Sequence, residues 1–199
     1  MDRRTLLVSL AALPFLALPA AAQGVNVAPI NSYLQGLRSA QGRFTQTNPD
    51  RSTQTGSFYL QKPGRIRFEY DKPKGAMVIA DGKWVGVFDP KTNRNPTRYP
   101  LDRTPLSLLL RDRLSLTEPG LVQGATRDAE GIDLTVVDPK APREGRMVMS
   151  FADGPVRLRQ WTVTTKTGQS TRVALNEITT GVPLDRSLFN IELAAASYR

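Results

Sequence analysis

Short runs of alternating apolar and polar residues, separated by turn residues, constrain the fold of this chain most strongly. In GSFYLQKPGRIRFEY, Phe58 and Leu60 share one parity, and Ile66, Phe68 and Tyr70 share it again after a Pro-Gly turn. Because side chains of a strand alternate between the two faces of a sheet, this pattern predicts a hairpin with one apolar and one polar face.

Similar runs continue along the chain. GAMVIADGKWVGVFDP predicts a hairpin that turns at Asp81 and Gly82. GRMVMSFADGPVRLRQWTVT predicts another, with a bulge near Arg159, where the parity of the apolar positions changes. Counting GIDLTVVDP and TGQSTRVALNEI as well, the sequence predicts about ten or eleven antiparallel strands. One sheet of this size must curl, which creates a concave apolar face.

Near the N-terminus, one segment has the periodicity of a helix. Ile30, Tyr33, Leu34 and Leu37 follow the spacing of an amphipathic helix, and Pro29 suits its first turn. This helix is available to cover the concave face, with its apolar stripe directed towards the sheet.

A second helix is predicted in RTPLSLLLRDRL, in the middle of the chain. Thr104 is expected to be its N-cap, and Pro105 its first helical residue. An apolar stripe and C-terminal cations follow, at Leu106, Leu109, Leu110, Arg111 and Arg113. Whether the two helices fill the concavity or only roof it is left open by the sequence.

The N-terminus has the features of a secretory signal peptide. A basic head, Arg3 and Arg4, precedes an apolar run that ends in small residues, which predicts cleavage after Ala22. The expected organisation is a cleaved signal peptide at 1–22 and a single domain at 23–199. The alternatives are an uncleaved membrane anchor and, for the paired arginines, twin-arginine export rather than the general route.

Composition points away from catalysis. The chain contains no His and no Cys, which removes the commonest general base, the thiol nucleophile and the usual zinc ligands. We therefore expect no enzyme activity, no metal and no cofactor. The formal net charge of +9 suggests an anionic partner, although export disfavours nucleic acid, and a solvated basic surface is the alternative.

A binding protein is therefore predicted, with its binding surface on the concave face. The candidate residues are Phe44, Phe58, Leu60, Ile66, Phe68, Met77, Leu106, Leu109, Leu110, Met147, Met149 and Trp161. For any single one of them, a place in an ordinary core is the favoured alternative. Lys62 has the parity of Phe58 and Leu60, so its amine should point towards the apolar side.

Six stretches, in order, resemble the LolA family, the periplasmic carriers of outer-membrane lipoproteins. They are LRSAQGRFTQT, GSFYLQKPGRIRFEY, VIADGKWVGVFDP, RTPLSLLL, LRQWTVTTKTGQSTRVAL and GVPLDRSLFNIEL. The resemblance implies a mainly β fold with helices (α+β): an incomplete, strongly curved antiparallel β-barrel of about 11 strands, covered by a helical lid. It also implies a cavity for lipoprotein acyl chains, a periplasmic location and no bound ATP.

The resemblance also suggests a role for Lys62. In the family pattern a basic residue, typically Arg, precedes the proline of this turn and bonds backbone carbonyls of the lid helices. Lys62 is thus a candidate lid latch, with Arg65 sharing the task because lysine cannot form the planar fork of arginine. The alternative is that Lys62 extends to water at a strand end.

The implied partners are lipoproteins, an inner-membrane ABC transporter that releases them and an outer-membrane acceptor, with the carrier acting as a monomer. Three other functions stay open. The chain could be a lipid or lipoprotein sensor of the same fold, or a carrier of another amphiphile such as a glycolipid. It could also be a scaffold with a filled core that binds an acidic partner through its basic surface.

Overall fold

One antiparallel sheet dominates the computed structural model, which describes residues 25–91 and 95–198. Its strands are β1 Ser39–Thr47, β2 Thr53–Gln61, β3 Arg65–Tyr70, β4 Met77–Asp81, β5 Trp84–Phe88, β6 Thr97–Pro100, β7 Val122–Asp128, β8 Gly131–Val136, β9 Gly145–Asp153, β10 Val156–Thr165 and β11 Ser170–Thr180. This 11-stranded sheet confirms the predicted mainly β class. The signal peptide predicted at 1–22 lies outside the described residues.

The sheet is strongly curled. Its strand order is β6-β5-β4-β3-β2-β1-β11-β10-β9-β8-β7, so four strand spacings separate β3 from β10. In a flat sheet this separation would be about 19 Å. The ring centroids of Phe68 on β3 and Trp161 on β10 nevertheless lie 6.3 Å apart. The predicted open, curved barrel is confirmed, with β6 and β7 as its edges.

The register places the apolar positions as the alternation predicts. Phe58 pairs with Phe68 and Leu60 pairs with Ile66, and all four side chains are buried. The predicted bulge near Arg159 is also confirmed, because the pairing of β10 with β9 shifts there.

Helix α1, Ala28–Gly36, confirms the first predicted helix. Pro29 lies in its first turn, and Ile30 and Leu34 are fully buried against the sheet. Leu37 follows as the C-cap residue and is also buried. The apolar stripe thus covers the concave face, as its periodicity indicates.

Helix α2, Leu106–Leu110, is shorter than the sequence predicts. Thr104 is not the N-cap, because its hydroxyl donates to the carbonyl of Leu101 at 2.8 Å and Pro105 takes the cap position. Arg111 leaves helical geometry, and its guanidinium forms ion pairs with Glu118 at 3.0 Å and Asp138 at 2.7 Å. These two ion pairs hold the C-terminal end of α2. The sequence instead predicted unpaired cations that interact with the helix dipole.

A third helix, α3 (Ile191–Ser197), was not predicted and lies on the convex face of the sheet. Asn190 caps it by accepting a hydrogen bond from the backbone N–H of Leu193 at 2.9 Å. Ile191 packs with Ile79 and Phe88 in a cluster separate from the main core. Among the described residues, no helix has the length and hydropathy required to cross a bilayer.

Candidate functional site

Large apolar side chains fill one part of the concave face, which we call the packed region. Of the predicted binding residues, those that lie there are at most 2% exposed: Phe44, Phe58, Leu60, Ile66, Leu109, Leu110, Met147 and Met149. They form one continuous cluster with Ile30 and Leu34 of α1 and with Leu108 of α2. In this region the helices fill the concavity, so these residues form the hydrophobic core.

A cavity of about 990 Å³ opens beside the packed region. Of the predicted binding residues, Phe68, Leu106 and Trp161 line it. Its volume is at the upper end of the usual range for small-molecule sites, about 300–1,000 Å³. The sheet therefore encloses both a core and an open cavity on the same face.

Five valines and one tyrosine supply much of the remaining apolar lining, and sequence reasoning missed them. They are Val78, Val85, Val87, Tyr99, Val163 and Val173. Two of them could have been found from strand pairing, because residues paired across neighbouring strands lie on the same face of the sheet. Val78 pairs with Phe68, and Val163 pairs with Met147. A search restricted to the largest apolar side chains selects residues that fill space and passes over residues that leave it open.

Met77 does not belong to the binding surface. It packs against the cluster of Ile79, Phe88 and Ile191 on the convex face. The physical reason is register: Val78, not Met77, pairs with Phe68, so alternation places Met77 on the opposite face of β4. The prediction for Met77 is therefore corrected.

Lys62 points to the apolar side, as its parity predicts, and reaches the lid, defined here as α1 and α2. Its Nζ donates to the backbone carbonyl of Leu34 at 2.9 Å, and its side chain is buried, with the residue 5% exposed. The carbonyl belongs to the last turn of α1, where a cation is favourable. Burial lowers the pKa of Lys62 to about 8, aided by the charge of Arg38 and opposed by Asp112.

The turn that contains Lys62 also holds the lid through its backbone. The Lys62 N–H donates to the carbonyl of Arg38 at 2.8 Å, just after α1. The Gly64 N–H donates to the carbonyl of Leu110 at 2.8 Å, at the end of α2. One hairpin turn therefore bonds to both segments of the lid.

Arg65 does not share this position. It pairs with Gln61 and Asp81 in the sheet, and it lines a depression together with Trp84 and Ile191 of the convex side. Alternation along β3 explains the difference, since Ile66 and Phe68 occupy the concave parity. The suggestion that Arg65 supports the latch is therefore corrected.

Polar side chains surround the mouth of the cavity. Glu144 lies between two cations: its carboxylate is 3.4 Å from Nη1 of Arg103 and 3.5 Å from Nζ of Lys166. Deeper in the lining, the Tyr70 hydroxyl donates to Oε1 of Gln46 at 2.8 Å, and burial raises the pKa of Tyr70 to about 12. The cavity thus combines an apolar interior with a polar, charged rim.

The described residues present no grouping of three or more Asp, Glu, His or Cys side chains able to hold a metal ion. What the arrangement can do is enclose hydrocarbon. An apolar cavity with a polar mouth suits an amphiphile whose chains lie inside and whose polar end faces water.

Comparison with known protein families gives a match over most of the chain. Residues 35–192 match the model of the LolA family, described as outer membrane lipoprotein carrier protein LolA. The matched segment includes the whole sheet, α2 and all residues that line the cavity, but only the last two residues of α1.

Several relatives are described as outer-membrane lipoprotein carrier protein. That of Alkalilimnicola ehrlichii is 32% identical over 153 residues, covering 67% of this chain and 70% of the relative. That of Methylococcus capsulatus is 29% identical and covers 80% of both chains. That of Pseudomonas syringae pv. tomato is 26% identical over 92% of this chain and 91% of its own length.

Among solved structures, a candidate outer membrane lipoprotein-sorting protein domain from Vibrio parahaemolyticus superposes with a TM-score of 0.50. The match covers 86% of this chain and 98% of that domain, at 11% sequence identity. At this identity the likeness concerns the fold alone.

Proposed function

The chain belongs to the LolA family, and from this membership we propose that it carries lipoproteins from the inner to the outer membrane with their acyl chains in the open cavity. The observation that carries the proposal is the cavity of about 990 Å³ on the concave face. Its interior is lined by Phe68, Val78, Trp161 and Val163, side chains without charge.

Physical chemistry supports this choice of cargo. An exposed acyl chain costs about 0.8 kcal/mol per CH₂ in water, so a lipoprotein anchor crosses an aqueous space only when it is enclosed. Contacts with valine and aromatic side chains are non-directional, which allows a chain to slide in and out without breaking hydrogen bonds. A carrier requires both properties, because it must bind its cargo and then release it.

We propose that Lys62 is the latch of the lid in this carrier. Its bond to the carbonyl of Leu34 and the bond between Gly64 and Leu110 hold both lid segments against the sheet. We further infer that the lid moves away from the packed region when cargo enters, which extends the space open to its acyl chains. The Lys62 bond would then break on loading and re-form on release.

The proposal extends to compartment and partners. We place the carrier in the periplasm, where it takes cargo from an inner-membrane ABC transporter and delivers it to an outer-membrane acceptor as a monomer. It acts without cofactor and without catalysis, which agrees with a sequence that has neither His nor Cys. A carrier of another amphiphile is the second candidate, favoured by the charged rim of Arg103, Glu144 and Lys166.

The test is capture and transfer of acylated lipoproteins. The purified protein is incubated with energised inner membranes from cells that make lipoproteins, and the soluble complexes are analysed by intact mass spectrometry. We expect lipoproteins with their acyl anchors, in equimolar complexes that deliver cargo to outer membranes. Recovery of non-lipoprotein amphiphiles alone would favour the second candidate, and recovery of no acylated species would refute the proposal.

A latch variant separates loading from release. We expect Lys62→Leu to load lipoproteins but to release them poorly, because an apolar contact at this position stabilises the occupied, open form. Normal delivery by Lys62→Leu to acceptor membranes would contradict the latch role while leaving the cavity assignment intact.

A further inference from the structure

The rim of the cavity carries an unequal set of charges. Two cations, Arg103 and Lys166, face one carboxylate, Glu144, and these are the charged side chains that line the cavity in the described part of the chain. Arg103 belongs to the 3₁₀ turn before α2, Glu144 precedes β9, and Lys166 follows β10. The Arg103–Glu144 pair therefore spans the mouth, from the lid side to the sheet side.

These contacts leave most donor capacity unused. The 3.4 Å and 3.5 Å separations exceed the roughly 2.7–2.9 Å of a good charge-assisted hydrogen bond. The Arg103 and Lys166 side chains are 67% and 66% exposed, whereas that of Glu144 is 17% exposed. One loosely held carboxylate thus occupies the space between two solvated cations.

We propose that Arg103 and Lys166 bind an anionic group attached close to the acyl chains of the cargo, and that this group displaces Glu144 from between them. The proposal rests on the proposed function, because acyl chains inside the cavity bring the polar end of an amphiphile to this rim. A phosphate or a carboxylate fits the site, since either offers several acceptors to the guanidinium and ammonium donors.

The sign of the preference follows from the charge balance. The rim has a formal excess of one positive charge, so an anion gains attraction while a cation meets net repulsion. A neutral head group is neither attracted nor repelled by this charge, and Glu144 stays between the two cations. The rim therefore selects among amphiphiles that the apolar interior alone would bind equally.

Displacement of a fluorescent fatty-acyl probe from the purified protein tests this selection. The competitors share one palmitoyl chain: lysophosphatidylglycerol carries a phosphate, a palmitoylated acidic dipeptide carries carboxylates, and monopalmitoylglycerol is neutral. At low ionic strength we expect the anionic competitors to bind about three- to tenfold more tightly than the neutral one. The difference should shrink in about 0.5 M salt, where charges are screened.

Single variants assign the preference to the rim. Arg103→Gln and Lys166→Gln should each reduce it, and Glu144→Gln should increase the affinity for anionic competitors without changing that for monopalmitoylglycerol. Arg98→Gln is the matched control, because Arg98 pairs with Glu192 at 2.7 Å away from the cavity. It makes the same change of charge and should leave the preference unchanged.

The outcomes are distinguishable. A preference for the phosphate competitor assigns the site to phospholipid-like heads, and one for the acidic dipeptide assigns it to acidic lipopeptides; either supports the inference. Equal binding of anionic and neutral competitors would overturn it while leaving the carrier function standing. Failure of every competitor to displace the probe would refute the proposed function and this inference together.

Discussion

The packed region and the open cavity share one concave face but differ in the size of the side chains they present. The packed region is built from Phe, Leu, Ile and Met, and most of its members are at most 2% exposed. The cavity presents several valines and threonines on β4, β5, β10 and β11, beside a few aromatic rings. The same curled sheet thus provides stability where the side chains are large and binding space where they are small.

The lid makes the same division within a single short helix. Leu109 of α2 is fully buried in the packed region, whereas Leu106, three residues earlier, lines the cavity. Stability and binding should therefore respond differently to the same substitution at these two positions.

Leu109→Ala should lower the free energy of unfolding by about 2–5 kcal/mol, because it leaves a void among close-packed side chains. Leu106→Ala should lower it by about 1 kcal/mol or less, since its side chain already borders open space. Urea unfolding measures both. Leu106→Ala should instead change the affinity for an acyl probe, and equal stability losses in the two variants would contradict the division.

Lys62 should make the stability of the packed region depend on pH. Burial holds its pKa at about 8 in the folded protein, below the 10.5 of an exposed lysine, so the unfolded chain binds more protons between these values. Stability therefore rises with pH in this window, by about 2–3 kcal/mol relative to Lys62→Met. Parallel pH profiles of the two proteins in urea unfolding would show that the amine is not buried.

Met77 provides a control on the other face. It is partly buried against the convex cluster under α3, so Met77→Ala should cost about 1 kcal/mol of stability. Because its side chain points away from the cavity, affinity for an acyl probe should not change. A loss of probe binding in Met77→Ala, at unchanged stability, would place Met77 back on the binding surface.

The alternation of apolar residues was sufficient to predict the sheet, its curl and its bulge. It also placed Lys62 correctly, because Phe58, Leu60 and Lys62 share one parity on a strand that runs without interruption into the turn. The same rule failed for Met77 because the sequence does not show which residue of β4 pairs with Phe68. Register between strands is decided by contacts across the whole sheet.

The cavity itself could not be predicted from the sequence. Phe68 and Trp161 meet across four strand spacings, and the space beside them depends on how tightly the sheet curls. Helix α2 was predicted too long because Thr104 and Arg111 find partners in the tertiary structure, the carbonyl of Leu101 and the carboxylates of Glu118 and Asp138. The helix propensity of the local sequence does not reflect these tertiary contacts.

Occlusion of the cavity tests the central claim most directly. Val163 lines the cavity, while Thr162, its neighbour on β10, has the opposite parity. Probe affinity is measured by fluorescence titration for the wild type, Val163→Trp and Thr162→Trp. We expect Val163→Trp to abolish one-to-one binding of a fluorescent fatty-acyl probe, and Thr162→Trp to retain it. Undiminished binding in a folded Val163→Trp protein would show that acyl chains do not occupy this cavity.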